Sequence, residues 1–258
     1  MHVSFSSAGS IADVGHPWLR GDGLFETIRV QGNVPLLLGR HIARMKRSSE
    51  ALRYGNPDFD SIEGNATNLA NSWTGDMGRM RITLFSDGEF LITIEEFSLA
   101  STMPAKLGVA KYTLDEGALL AGHKSLSYAA NATLLRFAAE SGLSDVVVLN
   151  KTGLVAESCI ANIFAIIDGR VATPPLASGC LPGIARQLLL EKGLASETEL
   201  PLDQLFNAEA LFLTNSMRGV VPVSSLTEKG RIKNFITHPE VQNLAKRLEE
   251  LFVLESHA

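Results

Sequence analysis

Apolar residues recur along the chain with both the helical and the strand period, and the alternation between the two predicts a mixed fold. Leu24–Val30 reads as a strand, with Gln31–Asn33 as a turn into a second short strand, Val34–Leu38. Pro35 lacks the N–H that an inner ladder needs, so that second strand is expected at a sheet edge. Gly39–Tyr54 carries Ile42, Met45 and Leu52 at helical spacing, surrounded by Arg40, Arg44, Lys46, Arg47 and Arg53. Asp58–Trp73 reads as another helix. Arg79–Phe85 and Phe90–Phe97 flank Ser-Asp-Gly-Glu, which is hairpin-turn chemistry, and Lys106–Tyr112 is a further strand.

Periodicity weakens over Thr113–Gly122, which predicts an interdomain connection. Beyond it, Ser127–Ser141 reads as a helix that stops before Gly142. Asp145–Leu149, Ile160–Ile167 and Arg170–Thr173 read as strands joined by tight turns at Lys151–Gly153 and Asp168–Gly169. Pro182–Lys192 has Pro just inside its start and Gly193 just past its end, the expected asymmetry of helix termini. Ala210–Thr214 and Val220–Val223 read as strands and Val241–Val253 as a closing helix. The expectation is therefore two α+β domains, residues 1–112 and 123–258, joined by 113–122.

Composition narrows the function. The 258 residues are 45% hydrophobic, enough for packed cores, and the formal charge of −5 argues against a broad grip on nucleic acid or an anionic membrane. A local basic pocket for a small anion is compatible with that charge. Two cysteines, Cys159 and Cys180, make neither a disulfide scaffold nor a four-cysteine zinc site. The six histidines show no HExxH or close ligand pair, so no metal is expected. The opening MHVSFSSAGS has no basic segment followed by a long apolar run, and apolar runs such as Ile163–Ile167 are too short to span a bilayer. A soluble cytoplasmic protein is expected.

Three segments call for chemical scrutiny. Lys124, in GHKSLSY, is a candidate Schiff-base nucleophile, because a partly desolvated amine loses its proton more easily; a solvated surface charge is the plainer alternative. Glu157, in LVAESCIANIF, either ends a strand in solvent or holds a heterocyclic nitrogen protonated. Ser178–Arg186, SGCLPGIAR, sets Gly183 at a helix N-terminus, where free N–H groups favour a phosphate, although an ordinary Pro-Gly helix start reads the same way. Thr214–Ser216 is a second, hydroxyl-rich cradle, and Arg44 is a candidate charged contact.

Taken together, the segments resemble the class IV aminotransferase family, the fold-type-IV pyridoxal-phosphate enzymes. The matching elements are GDGLFETIRV at Gly21–Val30, HIARM at His41–Met45 and HKSL at His123–Leu126. They continue in the family's order with LVAESCIANIF at Leu154–Phe164, LPGIAR at Leu181–Arg186, then TNS and VVPV, so the likeness runs from about residue 20 to 225. It implies a two-domain fold like that of D-amino-acid aminotransferase, a homodimer, and pyridoxal 5'-phosphate as cofactor. By the same resemblance Lys124 would be the catalytic Schiff-base lysine and Glu157 would pair with the pyridine nitrogen. Arg44, the backbone of Gly183 and Ile184, and the Asn215–Ser216 turn would hold the phosphate. Tyr128 does not match the family's tyrosine spacing and reads as a core residue.

Within the family the sequence resembles 4-amino-4-deoxychorismate lyase most. ESCIANIF has Cys and Ala-Asn where aminotransferases more often have Gly, Ser or Thr. Phe25 stands where many of them carry tyrosine, and Phe90–Phe97 lacks an Arg-x-His pair. The substrate implied is a small anion, aminodeoxychorismate, cleaved to pyruvate and 4-aminobenzoate for folate synthesis. The alternative is an aminotransferase acting on D-amino or branched-chain amino acids. Thr27 is a candidate proton donor, and Arg29, Arg81 and Arg218 are candidate carboxylate partners.

Overall fold

The computed structural model describes residues 2–6, 16–99 and 103–256. The segment read for a leader lies partly outside the described residues. In chain order the elements are β1 (His2–Ser6), α1 (His16–Arg20), β2 (Gly23–Gln31), β3 (Val34–Pro35), α2 (Leu38–Ala51), α3 (Phe59–Asn71), β4 (Met77–Phe85), β5 (Phe90–Glu96), β6 (Ala105–Leu114), α4 (Ala129–Glu140) and β7 (Asp145–Asn150). They continue as β8 (Val155–Ser158), β9 (Asn162–Ile167), β10 (Arg170–Thr173), α5 (Ile184–Glu191), β11 (Ser196–Glu197), α6 (Leu202–Asn207), β12 (Ala210–Asn215), β13 (Gly219–Glu228), β14 (Arg231–Asn234) and α7 (Pro239–Leu254). The mixture of helices and sheets agrees with the expected fold class. No helix among the described residues is long and apolar enough to cross a membrane.

The chain forms two compact units. The first takes Met1–Ala100, His123–Tyr128 and Phe252–Ala258. Its sheet has the order β1-β5-β4-β2-β3, antiparallel throughout. β3 is an edge strand, as Pro35 requires, and only two residues long, because the helix already begins at Leu38. Leu24, Ile28 and Val30 of β2 and Met80, Ile82 and Leu84 of β4 share one face of the sheet. Ile42 and Met45 of α2 and Ile62, Ala66 and Leu69 of α3 join the same core cluster. Asp58 caps α3 by accepting the Ser61 N–H at 2.9 Å, which satisfies a donor the helix start would leave open.

The second unit takes Ser101–Gly122 and Ala129–Leu251. Its nine-stranded sheet runs β11-β10-β9-β12-β13-β6-β7-β8, with β14 paired to β13. The pairs β13–β6, β6–β7 and β10–β11 are parallel, which makes the sheet mixed. β9 and β12, in the middle of the sheet, are buried along nearly their whole length, as their unbroken apolar runs lead one to expect. Asp168 and Gly169 both have positive φ, the backbone that a tight β9–β10 hairpin needs.

Two expectations about domain limits change. β6 does not close the first domain: it pairs in parallel with β7 and β13 in the second sheet, so the division falls near residue 100 and the stretch 113–122 lies within the second unit. Lys124 belongs to the first unit, because His123–Tyr128 pairs with β2. β8, β11, β14, α1, α6 and β1 are additional elements. Most are short, and β8 carries Glu157 inside a hairpin strand rather than ahead of one.

Candidate active site

In the first unit a backbone ladder sets Lys124 beside β2. The Phe25 N–H donates to the Lys124 carbonyl at 2.8 Å, the Leu126 N–H to Gly23 at 2.8 Å, and Leu24 bridges to Ser125. Lys124 Nζ consequently lies 4.3 Å from the centroid of the Phe25 ring. The Arg81 guanidinium of β4 lies 3.9 Å from the same centroid, and Tyr128 meets the ring edge-on at 5.5 Å. An aromatic face attracts cations through its quadrupole, so Phe25 gathers the lysine and the arginine without accepting a proton from either. Phe25 opposes Thr83 and Thr27 opposes Arg81 in the β2–β4 register, which puts all four on one sheet face. Burial pushes the Arg81 guanidinium down from its ordinary value, which is high enough to leave it cationic.

Glu26 follows Phe25 and therefore points to the other face, among the apolar residues under α2. Its Oε1 accepts Arg44 Nε at 2.9 Å, and its Oε2 accepts Arg44 Nη2 at 2.5 Å and bonds His41 Nδ1 at 2.6 Å. All three side chains are buried, Glu26 and His41 to 1% exposure. Burial alone would raise the Glu26 pKa; Arg44 and His41 outweigh it and hold the carboxyl down at about 2. Burial lowers the His41 pKa more than Glu26 raises it, so the imidazole is neutral. One turn beyond Arg44, Ser48 Oγ pairs with His123 Nδ1 at 3.0 Å, beside Lys124.

In the second unit Glu157 sits in β8 opposite Val148 of β7. Its Oε2 accepts the Leu181 N–H at 3.0 Å, while Asn162 Nδ2 donates to the Leu181 carbonyl at 2.8 Å. Leu181 is thereby held on both sides, two residues ahead of Gly183, the N-cap of α5. A Cβ on Gly183 would lie 1.9 Å from Asn162 Oδ1, so only glycine lets this helix start approach so closely. Asn162 pairs in register with Thr214 of β12, which brings the Gly183–Ile184 and Asn215–Ser216 segments to one end of the sheet. Asn215 Oδ1 accepts the N–H groups of Met217 at 3.1 Å and Arg218 at 2.9 Å, an Asx turn that shapes the segment.

Both cysteines are buried. Burial, and then Asp145, pushes the Cys159 thiol far up, and burial pushes Cys180 up to about 12. Both remain thiols at neutral pH and are poor nucleophiles.

Arg44 and Lys124 thus belong to the first unit, and Glu157, Gly183, Ile184, Asn215 and Ser216 to the second. Taken unit by unit, these residues have the chemistry that a phosphorylated pyridine would need. They offer an amine, a carboxylate, a glycine-started helix and a hydroxyl, Thr214 Oγ1, that is buried without a hydrogen-bond partner. Sequence reasoning missed the pairing of Glu26 with Arg44 and His41. Its signal was a lone acid at an inward position of LFETIRV, followed by His and Arg three apart on a helix.

Comparison with known proteins agrees. The amino-transferase class IV family profile matches residues 23–226. The bifunctional aminodeoxychorismate lyase / D-amino acid transaminase of Mycobacterium tuberculosis is 28% identical over 239 residues, covering 81% of this chain and 83% of that protein. The aminodeoxychorismate lyase of Vibrio harveyi is 28% identical over 251 residues, 89% of this chain and 90% of that one. A hypothetical aminotransferase from M. tuberculosis, solved in a pyridoxal-phosphate-bound form, superposes with a TM-score of 0.85 at 23% identity, over 99% of this chain and 100% of that one. Fold, order of motifs and family profile lead to one assignment: the chain belongs to the class IV aminotransferase family, whose members depend on pyridoxal 5'-phosphate.

Proposed function

We propose that this chain is a 4-amino-4-deoxychorismate lyase. The observation that carries the reading is that Lys124 and Arg81 both lie against the Phe25 ring, which puts a second cation and an apolar side chain beside the lysine. Such a setting suits a cyclohexadiene ring that bears carboxylates, whereas a tyrosine there would add a proton donor. The sheet face that carries Arg81 has Leu91, Thr93 and Glu95 on β5, with no arginine–histidine pair to hold a small amino acid. The segment Glu157–Phe164, ESCIANIF, resembles the lyase form of the motif in its Cys159 and its Ala161–Asn162 pair.

When bound, pyridoxal phosphate supplies an aldehyde carbon that takes the substrate amine and a pyridinium ring that takes up electrons released at the neighbouring carbon. Lys124 would anchor the cofactor, and its amine would take the proton from the amine-bearing carbon of the substrate. Glu157 would keep a proton on the pyridine nitrogen, since an adjacent carboxylate favours the charged form. By the family resemblance Arg44, the Gly183–Ile184 backbone and the Asn215–Ser216 turn would hold the phosphate, a fixed anchor away from the reacting carbon. Arg81 pairs with a substrate carboxylate. Loss of the ring proton and cleavage of the carbon–oxygen bond release the enolpyruvyl group as pyruvate and leave aromatic 4-aminobenzoate. Aromatisation drives the elimination, so modest proton donation at the leaving oxygen suffices, from Thr27 or from a bound water.

The second reading is a D-amino-acid or branched-chain aminotransferase, favoured by the double name of the M. tuberculosis relative. Incubation with aminodeoxychorismate and measurement of pyruvate and 4-aminobenzoate decides between them. Equimolar products support the lyase. Amine transfer from an amino acid to a keto acid, with neither product formed, overturns it. Lys124→Ala is expected to abolish both turnover and the absorbance of the lysine-linked cofactor. The same reading makes the protein a cytoplasmic homodimer, and a monomeric mass by light scattering would contradict the assembly.

A further inference from the structure

We propose that Glu26 is a positioning residue for cofactor retention, acting through Arg44; the proposal rests on the reading that Arg44 meets the cofactor's phosphate. Glu26 shares its face of β2 with Leu24, Ile28 and Val30, all buried and apolar. An ion pair in such a place is weak evidence for stability, because desolvation offsets the Coulombic attraction and an apolar pair of similar volume often serves as well. What the carboxylate provides is geometry. Two parallel N–H···O bonds, on Nε and Nη2, fix the plane and the rotamer of the Arg44 guanidinium.

His41 completes the device. It lies one turn before Arg44 on α2, and its Nδ1–H is the donor to Glu26 Oε2, since an ionised carboxylate only accepts. With Oε2 bonded to His41 as well as Arg44, the carboxylate is barred from rotating, and so is the arginine. The strand also ties in the lysine: Phe25, next to Glu26, donates its N–H to the Lys124 carbonyl. One rigid strand therefore indexes both the phosphate arginine and the catalytic lysine. Mispositioning Arg44 should weaken phosphate binding and leave binding of the unphosphorylated ring unaffected.

The test compares apoprotein affinities for pyridoxal phosphate and for pyridoxal, by equilibrium dialysis, in Glu26→Gln, Glu26→Asp, Arg44→Met and the Glu26→Gln/Arg44→Met pair. Glu26→Gln is expected to raise the Kd for pyridoxal phosphate about ten- to a hundredfold, by analogy with the loss of metal affinity when a residue that orients a metal ligand is removed. The Kd for pyridoxal should stay unchanged, and Glu26→Gln should add nothing once Arg44 is gone. Glu26→Asp keeps the charge but draws it back from the arginine, and should show the same selective loss. An unchanged Kd in a folded Glu26→Gln protein, or an equal loss for pyridoxal, overturns the proposal. If Arg44→Met itself leaves the pyridoxal-phosphate Kd unmoved, the assignment of Arg44 to the phosphate fails first. If Arg44→Met weakens binding and the Glu26 variants do not, only the positioning role fails.

Discussion

Replacing Gly183 by alanine tests how tightly the start of α5 is built. The backbone there, φ −67° and ψ 141°, suits alanine as well as glycine, so any effect comes from contact and not from dihedral strain. The new Cβ would lie 1.9 Å from Asn162 Oδ1. To reach ordinary van der Waals separation the amide must retreat by about 1.5 Å or more. That retreat breaks the 2.8 Å bond from Asn162 Nδ2 to the Leu181 carbonyl, in a residue only 5% exposed. Leaving a buried polar group unpaired costs about 1–3 kcal/mol. In a chain of this size each kcal/mol lowers the melting temperature by about 2–4 °C. The assay is thermal unfolding of the apoprotein followed by circular dichroism, for Gly183→Ala, Asn162→Ala and the double variant. Asn162→Ala removes the obstructing oxygen, so alanine at 183 should cost little more in that background, and the two substitutions should be strongly non-additive. A Gly183→Ala protein that melts with the parent, or strict additivity of the pair, would refute the argument from close approach.

Three further outcomes follow from the packing. The Glu26 carboxyl is held down at about 2 against an ordinary 4.5, so the part of the stability that depends on its ionisation is complete above pH 4.5 and lost as pH falls toward 2. Urea midpoints measured from pH 7 to pH 3 should fall steeply in the parent and much less in a Glu26→Leu/Arg44→Leu protein; equal slopes would sink the idea. Burial raises the Asp145 pKa, so this carboxyl opposes folding increasingly as pH rises from the ordinary carboxylate range through its raised value. Asp145→Asn should keep the acceptor for the Val146 and Cys159 N–H groups and gain stability relative to the parent at pH 8, with no gain in acid; an advantage independent of pH would contradict this. Phe252, buried beneath the Arg29 guanidinium at 5.0 Å, should cost about 3–5 kcal/mol when truncated to alanine, read as a fall in the urea midpoint.

Much of the site was legible because its parts are local. The alternation of LFETIRV, the Pro-Gly opening of α5 and the Asx turn at Asn215 are settled by neighbours a few residues away, and each element lies where its own pattern indicated. The strand at Asp145–Asn150 and the helix ending at Gly142 were equally direct. Glu26 was harder to read: its role depends on which strand face turns inward and on α2 laying His41 and Arg44 over that face. Its charge in an apolar run was visible, but its partners lie 15 and 18 residues away.

By itself, then, the amino-acid sequence determined the type of most elements and the family, and it singled out the candidate site residues. It did so because side-chain periodicity and turn chemistry act over a few residues, and because the motifs recur in a set order. Tertiary structure alone decided which sheet each strand joins. β6 leaves the strands that precede it and pairs in parallel with β13, more than a hundred residues away, and no local pattern encodes such a pairing. A different long-range pairing, of Leu24 with Ser125, sets Lys124 in the first unit against β2, where the Phe25 ring stands beside its amine. A strand's period says which of its faces is apolar; only the strands and helices packed around it decide what that face holds.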